Sequence, residues 1–261
     1  MKRSGNHGII NWLKTQGDFL FCNNIVPIAP ILKNKKVFPE PVEFNPWLNQ
    51  RYIDRVRGDD FSLIRPQIAG TKVELLDLDR FNVILSLEDQ DVMLKPFVIK
   101  EKQQSILILR DVENMLASRL KRANKIDHPA YPPKHGFLMT RLINTWKSHA
   151  REFLGISNHL PNKTNIYFNA WFEDRAYRKT ISKSLGLNFN DQGFTMVSKE
   201  GGGSSFDGVV NSGQNHLMQV LNRVSSLSDS QQSIIHQIMQ DNELNELNQQ
   251  IKLLAKDYIS Q

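Results

Sequence analysis

Cysteine is nearly absent from this chain of 261 residues, in which Cys22 is the single example. One thiol cannot form a disulfide within the chain, and it cannot supply a cysteine-rich metal site. Such scarcity is typical of proteins that work in a reducing, cytoplasmic environment. We therefore expect Cys22 to serve as a small apolar residue.

Long hydrophobic runs are also lacking. The apolar stretch at residues 25–32 is short, and Pro27 and Pro30 interrupt it. A membrane-spanning helix needs roughly 20 consecutive apolar residues, and no signal-peptide pattern precedes the first motif. These absences predict a cytoplasmic protein without a membrane span.

Dense clusters of basic residues are missing, although the chain has a formal charge of +6 and a pI of about 9.3. Its lysines and arginines are spread along the sequence without zinc-ligand spacing, which argues against a nucleic-acid partner. Hydrophobic content of 40% and charged content of 23% are ordinary for a globular protein. The length allows one large α/β domain or two small ones, and the charge favours an anionic ligand.

A basic, glycine-containing motif opens the chain at residues 2–8 and leads into an apolar helical pattern at residues 9–16. This order suits a loop that wraps an anion and presents it to the positive end of a helix dipole. Arg3 adds a fork of donors suited to phosphate or sulfate oxygens. A plain surface turn is the alternative interpretation of the same residues.

Phosphate loops of this type normally follow a buried strand, and Met1 stands directly against the loop. We therefore expect the first strand of the fold to be missing from this chain. Either the true start lies upstream, or the chain is a truncated copy.

Three short β-prone runs, at residues 83–87, 106–109 and 165–169, alternate with helical patterns. Runs that are apolar on both faces suit parallel strands covered by helices. The sequence therefore predicts an α/β fold in which a parallel β-sheet is flanked by helices in three layers. Residues 18–70 are rich in proline and irregular, and they form either an acceptor-binding lid or a solvated insertion.

Helix ends are marked by side chains and glycine. Asp174 or Arg175 is expected to begin a helix that stops at Gly186. Ser228 and Gln231 have the spacing of a capping box at the start of another helix.

Arg110 closes the run at residues 106–109, Asp111 follows it, and Ser118 lies eight positions after Arg110 in the next helix. Here the chain resembles the P-loop sulfotransferases, which transfer a sulfonate from 3′-phosphoadenosine 5′-phosphosulfate (PAPS) to a hydroxyl or amine. In that family a strand-ending Arg and a Ser eight residues later grip the 3′-phosphate. The resemblance implies these roles for Arg110 and Ser118.

The opening motif resembles the family's other signature, a basic residue followed by Ser-Gly, and looks like a bacterial branch of the superfamily. The resemblance implies that the 5′-phosphosulfate is held by residues of this loop, namely Arg3, Ser4, Gly5, Asn6, His7 and Gly8. It also implies a single sulfotransferase-like domain over residues 1–261, with a P-loop NTPase-like sheet. No metal is implied, and adenosine 3′,5′-bisphosphate (PAP) is the product.

Two further stretches look like family features. Residues 167–174, which include Trp171, resemble the strand and helix near the adenine. Lys199, Gly201 and Gly202 belong to a basic, glycine-rich loop of the kind that closes over the 3′-phosphate.

An acceptor hydroxyl needs a base, which in the family is a His or Glu about twenty residues before the 3′-phosphate Arg. Glu88 precedes Arg110 by 22 residues (110 − 88 = 22), with Asp89 and Asp91 as neighbours. His7 is the rival, because it sits in the loop expected to hold the transferred group. The acceptor stays open between a small molecule, a glycan and a lipid, as does the oligomeric state.

Two alternatives to a sulfotransferase remain. A P-loop nucleotide kinase is disfavoured, since no Gly-Lys-Ser/Thr follows the loop to position a magnesium ligand. A non-catalytic or truncated relative would keep the fold and bind a nucleotide or sulfated ligand without turnover.

Overall fold

A computed structural model of the chain describes residues 4–22, 82–89, 92, 104–123, 136–197, 204–214 and 218–259. Within these residues the protein is mixed α/β, as predicted. The helices are α1 (Asn6–Lys14), α2 (Val112–Ala123), α3 (Gly136–Phe153), α4 (Phe168–Glu173), α5 (Arg175–Ser184), α6 (Asp229–Ile238) and α7 (Asn242–Ile259). The strands are β1 (Phe19–Cys22), β2 (Asn82–Leu85), β3 (Ser105–Leu109) and β4 (Lys163–Tyr167). The specific three-layer sulfotransferase sheet stays a prediction.

The chain divides into two compact units, and the smaller one contains β1 and β2. These strands pair in parallel, with Phe19 opposite Asn82 and Cys22 opposite Leu85. Strand β1 corrects the interpretation of residues 18–70 as irregular throughout, since its four residues are too short a run to show a strand pattern. The remainder of that proposed lid, residues 23–70, lies outside the described residues.

The larger unit contains β3 and β4, which also pair in parallel, with Ser105 opposite Lys163 and Leu109 opposite Tyr167. The predicted strand at residues 165–169 was placed too late along the chain, since Phe168 and Asn169 already belong to α4. Apolar character continues through this point, so the pattern gave no sign of the turn. Directly after this turn, the Asn169 side chain donates a hydrogen bond to Asp111, two residues beyond the end of β3.

Helices cover β3 and β4 and supply most of the buried apolar residues. In α2, Val112, Met115 and Leu116 have no exposed surface. Trp146 of α3 is 1% exposed, and its indole N–H donates to the main-chain carbonyl of Arg110 at 3.0 Å. The buried core therefore extends to the carboxyl end of β3.

Both ends of α5 and the start of α6 follow the sequence signals, whereas α1 begins and ends earlier than its apolar pattern at residues 9–16. Asp174 caps α5 by accepting from the main-chain N–H groups of Ala176 at 2.6 Å and Tyr177 at 3.3 Å. Gly186 follows that helix with a φ of 69°, in the left-handed region that glycine favours. The predicted capping box at the start of α6 is also present.

Glu152 ties the end of α3 to β4 through a buried ion pair. Its carboxylate is 0% exposed and lies 2.7 Å from the Lys163 ammonium. It also accepts from the Ser157 hydroxyl at 2.6 Å and from the main-chain N–H groups of His159 and Leu160. Burial raises the pKa of Glu152, but these bonds outweigh burial and hold the pKa at about 2.

We predict that Glu152→Gln lowers the free energy of unfolding by about 3 kcal/mol at pH 7, because Lys163 is left without its buried partner. The folded pKa lies below the unfolded one, so the carboxylate's contribution is full above pH 4.5 and is lost as the pH falls towards 2. Urea unfolding at pH 7 and pH 3 measures this. The exposed Glu246→Gln is the matched control, and an equal loss in both variants would contradict the assignment.

Candidate anion-binding site

The ends of β3 and β4 place two pairs of side chains next to each other. Because Leu109 is opposite Tyr167, the next residues leave the strands side by side. The Arg110 guanidinium carbon lies 5.0 Å from the centroid of the Phe168 ring, within cation–π range. One residue further on, the Asn169 amide donates to the Asp111 carboxylate at 2.7 Å.

Arg110 and Ser118, which the family resemblance pairs at one site, are in contact. Arg110 directly precedes the turn into α2, and Ser118 lies two turns along the helix. The guanidinium Nη1 donates to the Ser118 hydroxyl at 3.2 Å, and Nη2 donates to the main-chain carbonyl of Val220. Both side chains are buried, Arg110 with 5% and Ser118 with 4% of its surface exposed.

Burial sets the electrostatics of this pair. It lowers the pKa of Arg110 to about 10, with Asp111 and Tyr167 acting to raise the pKa and Arg223 acting to lower it. The guanidinium therefore stays charged at neutral pH. Its bonds to Ser118 and Val220 are to neutral oxygens, and a buried cation is stabilised further by an anion.

Arg223 is a second buried arginine beside Arg110, and no motif points to it. It is 4% exposed, and its guanidinium donates to Asp207 at 2.8 Å and to the Ser204 hydroxyl at 3.2 Å. The same group lies 4.5 Å from the centroid of the Phe206 ring. Burial lowers the pKa of Arg223, and Asp207 opposes that shift.

The N-terminal loop reaches the same aromatic ring as Arg110. Gly5 has a φ of 84° and precedes α1, where its carbonyl accepts from the N–H groups of Gly8 at 3.0 Å and Ile9 at 3.2 Å. A Cβ added at Gly5 would lie 2.0 Å from an atom of the Phe168 ring. Phe168 therefore contacts both the loop at Gly5 and the Arg110 guanidinium.

Other predicted residues of this loop lie around Gly5. Ser4 is 1% exposed and Asn6 is 8% exposed, while His7 is half-buried as the second residue of α1. Arg3 lies outside the described residues, as do Lys199, Gly201 and Gly202 of the predicted glycine-rich loop.

Trp171, predicted near the adenine, belongs to a buried aromatic cluster. It is 2% exposed, and its ring centroid lies 5.9 Å from that of Trp12, 5.7 Å from Phe168 and 5.3 Å from Phe194. A Cβ at Gly8 would be 3.6 Å from the Trp171 ring. Trp171 thus packs behind the loop, and within the described residues its indole N–H has no hydrogen-bond acceptor.

Glu88, the predicted base, and its neighbour Asp89 belong to different units of the chain. Glu88 follows β2 in the smaller unit and is half-buried. Asp89 belongs to the larger unit, where its carboxylate accepts from both terminal nitrogens of Arg119, one at 3.1 Å. This ion pair disfavours Asp89 as a base, and Asp91 lies outside the described residues.

A shallow polar cleft of about 490 Å³ lies at the opposite end of α1 from the N-terminal loop. Its lining is Thr15, Gln16, Arg175, Asn188, Phe189, Asn190, Asp191 and Gln192. The cleft therefore does not coincide with the Arg110–Ser118 pair, which is covered by protein.

Comparison of the chain with protein-family models, curated proteins and solved structures gave no match. Across the described residues, no helix is long and apolar enough to cross a membrane. The same residues contain no group of three or more His, Cys, Asp or Glu side chains placed to hold a metal ion.

We predict that Gly5→Ala lowers the free energy of unfolding by about 3 kcal/mol, through the cost of a left-handed backbone and the clash with Phe168. Gly155→Ala is the matched control, since Gly155 has a φ of 75° and open space around it. It should lose only about 1 kcal/mol. Chemical denaturation measures both, and equal losses would show that the ring contact at Gly5 is unimportant.

Proposed function

We propose that the protein is a PAPS-dependent sulfotransferase that transfers a sulfonate to a hydroxyl or amine of an acceptor. The contact of Arg110 with Ser118 at the carboxyl end of β3 carries this proposal. Polar residues at the carboxyl ends of parallel strands are where open α/β sheets bind ligands. The N-terminal loop supports the same assignment, because it packs on the ring that contacts Arg110.

In this proposal the two ends of the donor bind to two elements. Arg110 and Ser118 hold the 3′-phosphate through charge-assisted hydrogen bonds, each of which contributes about 1.5–3 kcal/mol. The loop around Gly5 holds the 5′-phosphosulfate at the N-terminus of α1, where main-chain N–H groups and the helix dipole favour an anion. Binding at both ends orients the sulfonate for in-line attack.

The transfer step then requires little covalent chemistry from the protein. The acceptor oxygen or nitrogen attacks sulfur, and the bond from sulfur to the oxygen of the 5′-phosphate breaks. PAP leaves with the bonding electrons, and the acceptor proton passes to a base. Cationic and main-chain donors in the loop stabilise the charge that develops on the leaving phosphate. Glu88 and His7 are the candidate bases.

We predict that Ser118→Ala and Arg110→Lys each weaken PAP binding about tenfold or more, from the loss of one charge-assisted hydrogen bond or of the planar fork. Isothermal titration calorimetry with PAP measures the change. Arg175→Ala is the matched control, because Arg175 is an arginine with 71% of its side chain exposed. Circular dichroism of each variant separates lost binding from lost folding.

The choice of nucleotide separates the alternatives. If PAP binds and adenosine 5′-monophosphate does not, the 3′-phosphate is recognised as proposed. Unchanged PAP affinity in both variants would refute the site. A thermal shift with ATP and magnesium but not with PAP would favour the P-loop kinase. PAP binding without sulfonate transfer to any acceptor would favour the non-catalytic relative.

We also predict that Glu88→Gln lowers kcat by about 10²–10⁴ with little change in PAP affinity, since a base acts on the acceptor proton. Transfer of labelled sulfonate from PAPS to a panel of phenols, amines and oligosaccharides measures turnover. His7→Gln is the parallel variant. If it alone abolishes turnover, His7 is the base, and full activity in both variants would place the base elsewhere.

A further inference from the structure

Residues 220–223 form a turn and a short irregular stretch, and they contact the Arg110–Ser118 pair through Arg110. Val220 is 6% exposed, and its carbonyl accepts from the Arg110 guanidinium. Arg110 and Ser118 are themselves 5% and 4% exposed, so neither is open to a phosphate group in solvent in this arrangement, and Val220 is one of the residues that cover Arg110. Access to the pair therefore depends on what holds residues 220–223 down.

Asn114 supplies two of the bonds that hold the segment. Its amide N–H donates to the Leu221 carbonyl at 2.9 Å, and its amide oxygen accepts from the main-chain N–H of Arg223 at 2.6 Å. Asp111 orients Asn114, accepting from its main-chain N–H at 2.8 Å and from its side-chain N–H at 3.0 Å. The Asn114 side chain, in the first turn of α2, is thus hydrogen-bonded to both ends of the Leu221–Arg223 stretch.

We propose that Asn114 is a latch that closes residues 220–223 over Arg110 and Ser118, so that a phosphate group binds Arg110 only after this segment is released. This inference rests on the proposed function, because it takes the 3′-phosphate of the donor as the group that enters. Asn114 is a positioning residue in this scheme and does not itself bind the donor.

In this scheme Arg110 exchanges one hydrogen-bond acceptor for another, and the two acceptors differ in charge. In the closed state Arg110 donates to a neutral carbonyl, and in the open state the same donor meets a phosphate oxygen. A charge-assisted bond to an anion is the stronger of the two. The ligand therefore stabilises the open state, and the closed state shields a buried cation until the ligand arrives.

Release of the segment is coupled to a neighbouring turn through Arg223. The Arg223 guanidinium is bonded to Asp207 and Ser204, which belong to the turn at residues 204–208. Main-chain bonds between Ser204 and Gly208 close that turn, at 2.8 and 3.0 Å. Movement of residues 220–223 would therefore change the exchange protection of both elements.

The test measures association of PAP with the whole protein by stopped-flow titration. Asn114→Ala removes both side-chain bonds to the segment, and two neutral hydrogen bonds shift an opening equilibrium by about 5- to 100-fold. We expect the association rate constant to rise by that factor and the dissociation rate constant to stay unchanged. Asn222→Ala, an asparagine within the same segment, is the matched control and should leave both constants as in the wild type.

A purely structural role for Asn114 predicts the opposite sign. Equal or weaker PAP binding in Asn114→Ala than in the wild type would overturn the latch and leave the proposed function standing. No PAP binding in either protein would overturn both. Binding in the variant but not in the wild type would support the latch strongly.

A second measurement needs no substitution and covers the case in which Asn114→Ala fails to fold. Hydrogen exchange of the wild type with and without PAP reports the main-chain N–H of Arg223, which the latch protects. We expect PAP to increase exchange at this position and in residues 204–208. Unchanged or slower exchange there, with PAP bound, would overturn the latch.

Discussion

The parallel register of β3 and β4 is the constraint on which the candidate site depends. It sets Leu109 opposite Tyr167, so the chain leaves both strands at the same level. Arg110 then stands beside Phe168, and Asp111 stands beside Asn169. A shift of one residue in this pairing would reverse the faces of the side chains and separate both pairs.

Phe168, which follows β4, connects the ends of these strands to the N-terminal loop. Its ring occupies the space where Gly5 has no side chain, and the Arg110 guanidinium lies 5.0 Å from the centroid of the same ring. Trp171 packs against this ring, and Trp12 and Phe194 contact Trp171 edge-to-face, so Phe168 belongs to a larger aromatic cluster. Two sequence motifs more than a hundred residues apart therefore share one structural support.

Two buried arginines set the electrostatics of the candidate site. Arg110 and Arg223 are both removed from water, and each lies near donors and acceptors that the fold must keep satisfied. The Val220 carbonyl and the Ser118 hydroxyl accept from Arg110, whereas Asp207 accepts from Arg223. The fold therefore supplies hydrogen-bond acceptors to both buried guanidinium groups.

Local signals in the sequence determined several features by themselves. The capping residues Asp174 and Ser228 and the glycine at Gly186 act on adjacent backbone, so their effects need no distant partner. The eight-residue spacing of Arg110 and Ser118 is local too, because a helix begins between them and brings them to one side.

Only the tertiary structure decided the rest. Strand β1 is recognisable through its pairing with β2, more than sixty residues later in the chain (82 − 19 = 63), and not by its own four residues. The end of β4 at Tyr167 depends on Asn169 reaching Asp111, and the role of Asn114 depends on a segment 107 residues further on. Such contacts follow from packing, and packing is a property of the whole fold, which no short pattern contains.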